Sequence, residues 1–276
     1  MDRNEEVAVV QIGPRRGWFR VDWRELWSYR EMLYFLAWRD IKVRYKQTVL
    51  GASWAILQPV LTTLVFTIFL GRVVKDLDGL SYPVFVFSGL LPWTFFSGVV
   101  TGAAGSLIGN ERLVTKVYFP RLIIPSASVG VGLLDLGIAL VVLAGMMVYY
   151  GLGVSVTVVL LPGVVGLTAV TALGVGLWLS ALNVEYRDFK YVIGFLVQLW
   201  MFATPVVYPL KLVPESYRGW LSLNPMAGLI EGFRSALLGR AMDWGLLGTS
   251  ALIGVGLFVT GVVYFRKMEH RFADLI

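Results

Sequence analysis

Four basic side chains, Arg39, Lys42, Arg44 and Lys46, fall within eight residues just ahead of the first long apolar stretch of this 276-residue chain. They share the segment Trp27 to Lys46 with Leu33, Leu36, Ala37 and Ile41, which recur at roughly helical intervals. The pattern predicts an interfacial helix with one apolar and one basic side, its cations near lipid phosphates and its Trp and Tyr at headgroup level. Two readings stay open for it: an anchor that only fixes topology, and a helix that also touches a partner subunit.

A second group lies at Asn110, Glu111, Arg112, Leu113, Lys116, Val117, Tyr118 and Phe119, ahead of Pro120. Asn110 is placed to cap a short helix, Glu111, Arg112 and Lys116 to face water, and Leu113, Val117 and Phe119 to offer an apolar edge. Such a helix suits a groove on a soluble protein, where apolar burial gives affinity and charge sets register. A solvated connector is the alternative.

Other chemistry is sparse. Asp135 is the one carboxylate well inside an apolar stretch, a candidate ion or proton site by default. No basic partner for it is evident in the sequence, so a packing or pore-facing hydrogen bond is the stronger reading. There is no Cys, and the single histidine, His270, sits near the C-terminus, which argues against a metal site or a thiol nucleophile. No Gly-rich loop followed by Lys and Ser/Thr is present, so any ATP-driven work requires a separate ATPase chain.

The elements that position these groups follow from hydrophobic run length. With 57% hydrophobic and 15% charged residues and a mean hydropathy of +0.71, the chain has too few charges to cover a soluble domain of its size. Spans are expected near 51–71, 83–107, 122–150, 156–182, 191–207 and 246–265, giving an all-α polytopic membrane protein with six transmembrane helices. The polar segment 1–24 lacks the form of a signal peptide. Placing both termini on one side puts 18 Lys and Arg there and 6 on the other, so the termini are expected in the cytoplasm. The net charge of +6 is thereby a topology signal, with no nucleic-acid partner implied.

Between the fifth and sixth spans, Pro205, Pro209 and Pro214 forbid one continuous helix, while Asn224-Pro225 starts a helical pattern that reaches Leu238 despite Glu231 and Arg234. Two short re-entrant helices are expected, tolerable only where buried in protein or beside a water-filled path. Deep aromatics, among them Phe95, Phe96, Trp178, Trp200 and Phe202, would suit stacking on a sugar polymer in a channel; lipid-facing packing is the other reading and the more ordinary one. Gly98, Gly102 and Gly105, or Gly130 with Gly137, permit close helix contact or a dimer seam.

Several strings together carry a resemblance. They are Leu33, Leu36-Ala37, Arg39-Asp40, Lys42 and Arg44 to Thr48; Leu50-Gly51 and Trp54; Gln58-Pro59; Asn110 to Pro120 with its Phe-Pro ending; and Leu223-Asn224-Pro225. The chain, over about 23–265, resembles the permease subunit of polysaccharide-exporting ABC transporters of the ABC-2 type, a family that includes exporters of O-antigen, capsular polysaccharide and teichoic acid. The resemblance implies a cytoplasmic segment (1–50), a six-helix transmembrane domain (51–265) and a cytoplasmic tail (266–276) in the inner membrane. It further implies a homodimer with two copies of an ATP-binding cassette subunit that carries the ATP and Mg, no cofactor on this chain, and a lipid-linked polysaccharide as substrate. The Asn110 to Phe119 group would couple to the ATPase, and Arg39, Lys42, Arg44 and Lys46 would meet the lipid pyrophosphate. O-antigen is the leading cargo, capsule or teichoic acid the alternative. A polytopic membrane enzyme would need an acidic cluster at one membrane face, which the sequence lacks, and a scaffold would function without nucleotide.

Overall fold

The computed structural model describes residues 23–46, 53–74, 77, 79–186 and 188–272; the arginines at 15, 16 and 20 and the Gln47 to Gly51 part of the motif lie outside them. Among the described residues the secondary structure is helical, with no strand. The chain opens with α1 (Trp23–Ser28) and α2 (Arg30–Lys46), then α3 (Ser53–Leu70), α4 (Tyr82–Gly109), the short α5 (Glu111–Lys116) and α6 (Ile123–Tyr149). A 3-10 turn at Val156–Leu160 leads into α7 (Leu161–Glu185), followed by α8 (Phe189–Phe202), α9 (Glu215–Ser222), α10 (Pro225–Leu238) and α11 (Trp244–Met268).

Among the described residues five helices are long and apolar enough to cross a bilayer: α3, α4, α6, α7 with its preceding turn, and α11. The sixth expected span is different. α8 has 14 residues, about 21 Å of helix against a hydrocarbon core of about 30 Å. Pro205 disfavours helix at the residue before it and offers no N–H, so the helix stops at Phe202 rather than running to Val207. The continuation is irregular yet buried, with Thr204 to Val207 inside the protein.

α4 is the hub, with about three-quarters of its most apolar window buried, and it packs against α6, α7, α3, α10 and α8. α7 lies along α11 in a seam set by glycine: a Cβ on Gly174 would stand 2.5 Å from the Phe258 nitrogen, and one on Gly261 would strike the Gly174 carbonyl. Of the glycines singled out from sequence, Gly102 and Gly130 pack closely on Ser128 and Ala37, whereas Gly98, Gly105 and Gly137 face open space.

Two apolar cores divide the bundle lengthwise. One gathers Leu36, Leu107, Phe119, Ile123, Val184, Phe265 and Phe272, and so brings the N-terminal helix and the last described turn to the same end. The other gathers the first halves of α4 and α7, the second half of α6, Val206 and α10 at the opposite, far end. α10 is buried, with twelve of its fourteen residues inside; α9 has no buried residue, so only one of the two short helices expected to be re-entrant enters the bundle.

Candidate functional site

At the terminal end, α2 leans along α6. Leu33, Leu36, Ala37 and Ile41, the stripe read from sequence, do turn inward, and Ala37 meets Gly130. Tyr34, Phe35 and Trp38 face out, Tyr34 stacked on Trp38 at 6.4 Å and Lys42 Nζ 5.4 Å from the Trp38 ring. That outward ladder fits an aromatic and cationic face at headgroup level.

The four bases do not form one side. At 100° per residue, Arg39, Lys42 and Lys46 fall near one meridian, while Arg44 lies about 140° from Arg39, on the packing face. Arg44 Nη1 accordingly pairs with Asp135 Oδ2 at 2.8 Å, and the Tyr45 hydroxyl donates to Asp135 Oδ1. Burial first, and then this hydrogen bond, push the Tyr45 hydroxyl up to about 12, so it remains a donor at physiological pH. The intramembrane carboxylate thus has the basic partner that the sequence did not reveal. Arg39 pairs with Asp40 at 2.7 Å, and Lys46 is exposed.

Arg39 also lines a cavity of about 320 Å³ together with Asn110, Glu111, Arg112 and Leu113, so the two sequence groups meet there. Asn110 does not cap α5 through its side chain: its Nδ2 donates back to the Ser106 carbonyl at 2.8 Å and closes α4. Glu111, Arg112 and Lys116 are exposed. The apolar edge is corrected in its membership. Phe119 is buried in the chain's own core with Val114, Leu113 is half-buried, and Val117 and Tyr118 are the apolar groups left facing outward.

Sequence reasoning missed the link behind this segment. The Arg121 backbone N–H donates to Glu269 Oε1 at 3.3 Å and its guanidinium to the Glu269 carbonyl, while Arg266 Nη1 pairs with Glu269 Oε2 at 3.0 Å. These contacts tie the residue that follows the α5 segment to the end of α11. The contacts are charge-assisted and tighten across two helix ends.

At the far end, the irregular 203–209 segment has buried carbonyls that cannot reach water. Arg234, fully buried on α10, takes them: Nη1 donates to the Pro205 carbonyl at 3.0 Å, Nη2 to the Val206 and Phe85 carbonyls, with Glu231 Oε2 3.4 Å away. The guanidinium sits 3.8 Å over the Phe85 ring, and the Tyr82 hydroxyl donates to the Val207 carbonyl at 3.0 Å. Gly89 makes room, since a Cβ there would strike Arg234 Nη2. The sequence flagged Arg234 only as an awkward charge; here it is the clamp that lets α8 end early.

The five aromatics proposed to line a channel are not brought together. Phe95 and Phe96 are packing residues of this chain, 2% and 0% exposed, and Phe96 meets Trp200 edge-on at 5.1 Å. Trp178 stacks on Tyr264 at 4.2 Å near the terminal end, and Phe202 faces outward from α8.

The buried hub α4, the short α5 and the clamped α10 belong to a multi-span membrane protein. Residues 31–238 match the ABC-2 type transporter family. The chain belongs to that family. It is 35% identical to the O-antigen export system permease protein RfbA of Myxococcus xanthus across 92% of this chain and 98% of that protein. A Klebsiella pneumoniae permease of the same name is 27% identical across 89% and 95%. The polysialic acid transport protein KpsM of Escherichia coli is 25% identical across 84% and 91%.

Proposed function

We propose that the chain is the membrane-spanning subunit of an ATP-driven exporter of lipid-linked polysaccharide of the O-antigen type. The observation that carries this reading is the likeness, end to end, to a permease named for O-antigen export. The weaker likeness to KpsM keeps capsular polysaccharide as the second cargo.

In this reading two copies of the chain sit in the inner membrane with their termini in the cytoplasm and bind two copies of an ATP-binding cassette subunit. ATP and Mg belong to that subunit, and this chain holds no cofactor. Glu111, Arg112, Lys116, Val117 and Tyr118 face the ATPase, and the Arg121 to Glu269 contacts carry its movement into α6 and α11. Arg39, Lys42 and Lys46 share one meridian of α2 and are the bases that meet the pyrophosphate of the lipid carrier; Arg44 is engaged by Asp135. Trp200 and Phe202, on the poorly buried α8, are the aromatics placed to meet the polymer.

Deleting the gene in its source cell tests the cargo. Loss of surface polysaccharide, with lipid-linked polymer accumulating inside, supports the proposal. Unchanged surface polysaccharide overturns it.

A further inference from the structure

Beside the far end of α8 a cavity of about 480 Å³ opens between Trp200, Tyr208 of the irregular segment, Tyr217 and Trp220 of α9, and Asn224-Pro225 at the start of α10. Four rings from three elements converge on it, and its lining includes no charged side chain. One wall is held rigidly. Asn224 Oδ1 accepts from Trp200 Nε1 at 3.0 Å and from the Met226 N–H at 3.1 Å, while its Nδ2 donates to Thr204 Oγ1 at 2.9 Å. The other wall is free to adjust, since Tyr217 and Trp220 are 63% and 74% exposed on a helix with no buried residue.

We infer that this cavity is a binding site for neutral sugar rings of a glycan. The size is that of a small-ligand pocket, which spans roughly 300–1,000 Å³. Aromatic faces match the C–H faces of a pyranose, and the tyrosine hydroxyls are amphipathic tips within reach of its hydroxyls. A phosphate would call for Lys or Arg in the lining, which has none. An acyl chain is disfavoured by the polar setting of α9, where Arg218, next to the lining Tyr217, pairs with Glu215 at 3.8 Å and donates to the carbonyl of the lining Val213 at 3.1 Å. One fixed and one adjustable aromatic wall suit weak, repeated capture of successive units. The site rests on the polysaccharide reading above and adds to it a place of contact at the end of the bundle opposite the termini.

The test puts the photo-cross-linker p-benzoylphenylalanine in place of Trp220, and in a second strain in place of Tyr217, in cells making their native polymer. A third strain carries it in place of Phe69, an exposed ring on α3 outside the cavity. Illumination is expected to attach glycan to the permease at positions 217 and 220 and not at 69. Trp220→Ala should lower the export rate several-fold when polymer is limiting, and Trp220→Phe should restore it with no change in permease abundance. Lipid-only adducts at 217 and 220, or equal glycan labelling at 69, in cells with intact surface polysaccharide would overturn the site while leaving the export reading standing. If surface polysaccharide persists without this gene, the export reading falls and the site falls with it.

Discussion

Arg44 and Asp135 join the N-terminal helix to the middle of the third span: Arg44 Nη1 lies 2.8 Å from Asp135 Oδ2, with the Tyr45 hydroxyl on the other oxygen. Asp135 is 12 residues into α6, so the pair lies about 18 Å along that helix. An unpaired carboxylate at this depth is costly, and its partner is accordingly fixed rather than free to follow a substrate.

Arg44→Ala should therefore harm the protein more than Arg44→Ala combined with Asp135→Asn, because the double variant leaves no stranded charge. Half-exposure of Arg44 places the coupling energy between that of exposed ion pairs and that of buried charge-assisted bonds, about 1 kcal/mol. Thermal unfolding of the four members of the cycle in nanodiscs measures it. Additive single effects would contradict the pairing.

Arg234 is the second fixed charge. Arg234→Met leaves the carbonyls of Pro205 and Val206 without their donor, at about 1–3 kcal/mol for each group left unsatisfied, while the Phe85 carbonyl keeps Ser88 Oγ. Arg234→Lys should rescue poorly, since a single ammonium cannot reproduce the fork. Gly89→Ala should mimic the loss by displacing the guanidinium. Yield of folded, monodisperse protein after detergent extraction reads all three; wild-type yield from Arg234→Met would refute the clamp.

The segment around α5 separates two kinds of residue. Phe119→Ala empties a buried site and should cost about 3–5 kcal/mol of stability. Val117→Asp and Tyr118→Ala, at exposed positions, should leave the fold intact and weaken ATPase binding or its coupling to transport. Co-purification of the ATPase and the ratio of ATP hydrolysed to polymer moved distinguish the two. Loss of folding in the Tyr118 variant would contradict the assignment.

Asn224 carries both the start of α10 and the orientation of Trp200. Asn224→Ala should cost about 1 kcal/mol for the lost cap, and somewhat more for the released indole. Asn224→Asp keeps both acceptor roles but loses the Nδ2 donation to Thr204 Oγ1, and should recover only part of it, as followed by unfolding temperature.

Five of the six expected spans and the helix start at Asn224-Pro225 were legible in the sequence because apolar length and helix-start chemistry are local. The end of α8 was written there too, in Pro205, but run length overrode it. The helical wheel alone separates Arg44 from Arg39, Lys42 and Lys46. What the sequence could not reveal were partners brought together by tertiary packing: Asp135 for Arg44, and Glu269 for Arg121. Arg234 was hidden for another reason, since its acceptors are backbone carbonyls, which no residue type announces.

Together with an ATP-binding cassette subunit, this chain is proposed to move lipid-linked polysaccharide. Inverted membrane vesicles containing both, loaded on their outer face with native lipid-linked polymer, measure it directly. ATP-dependent protection of the polymer from added glycosidase is expected, absent without this chain and absent with an ATPase unable to hydrolyse ATP. Assembly and ATP turnover with the polymer still fully digestible would contradict it.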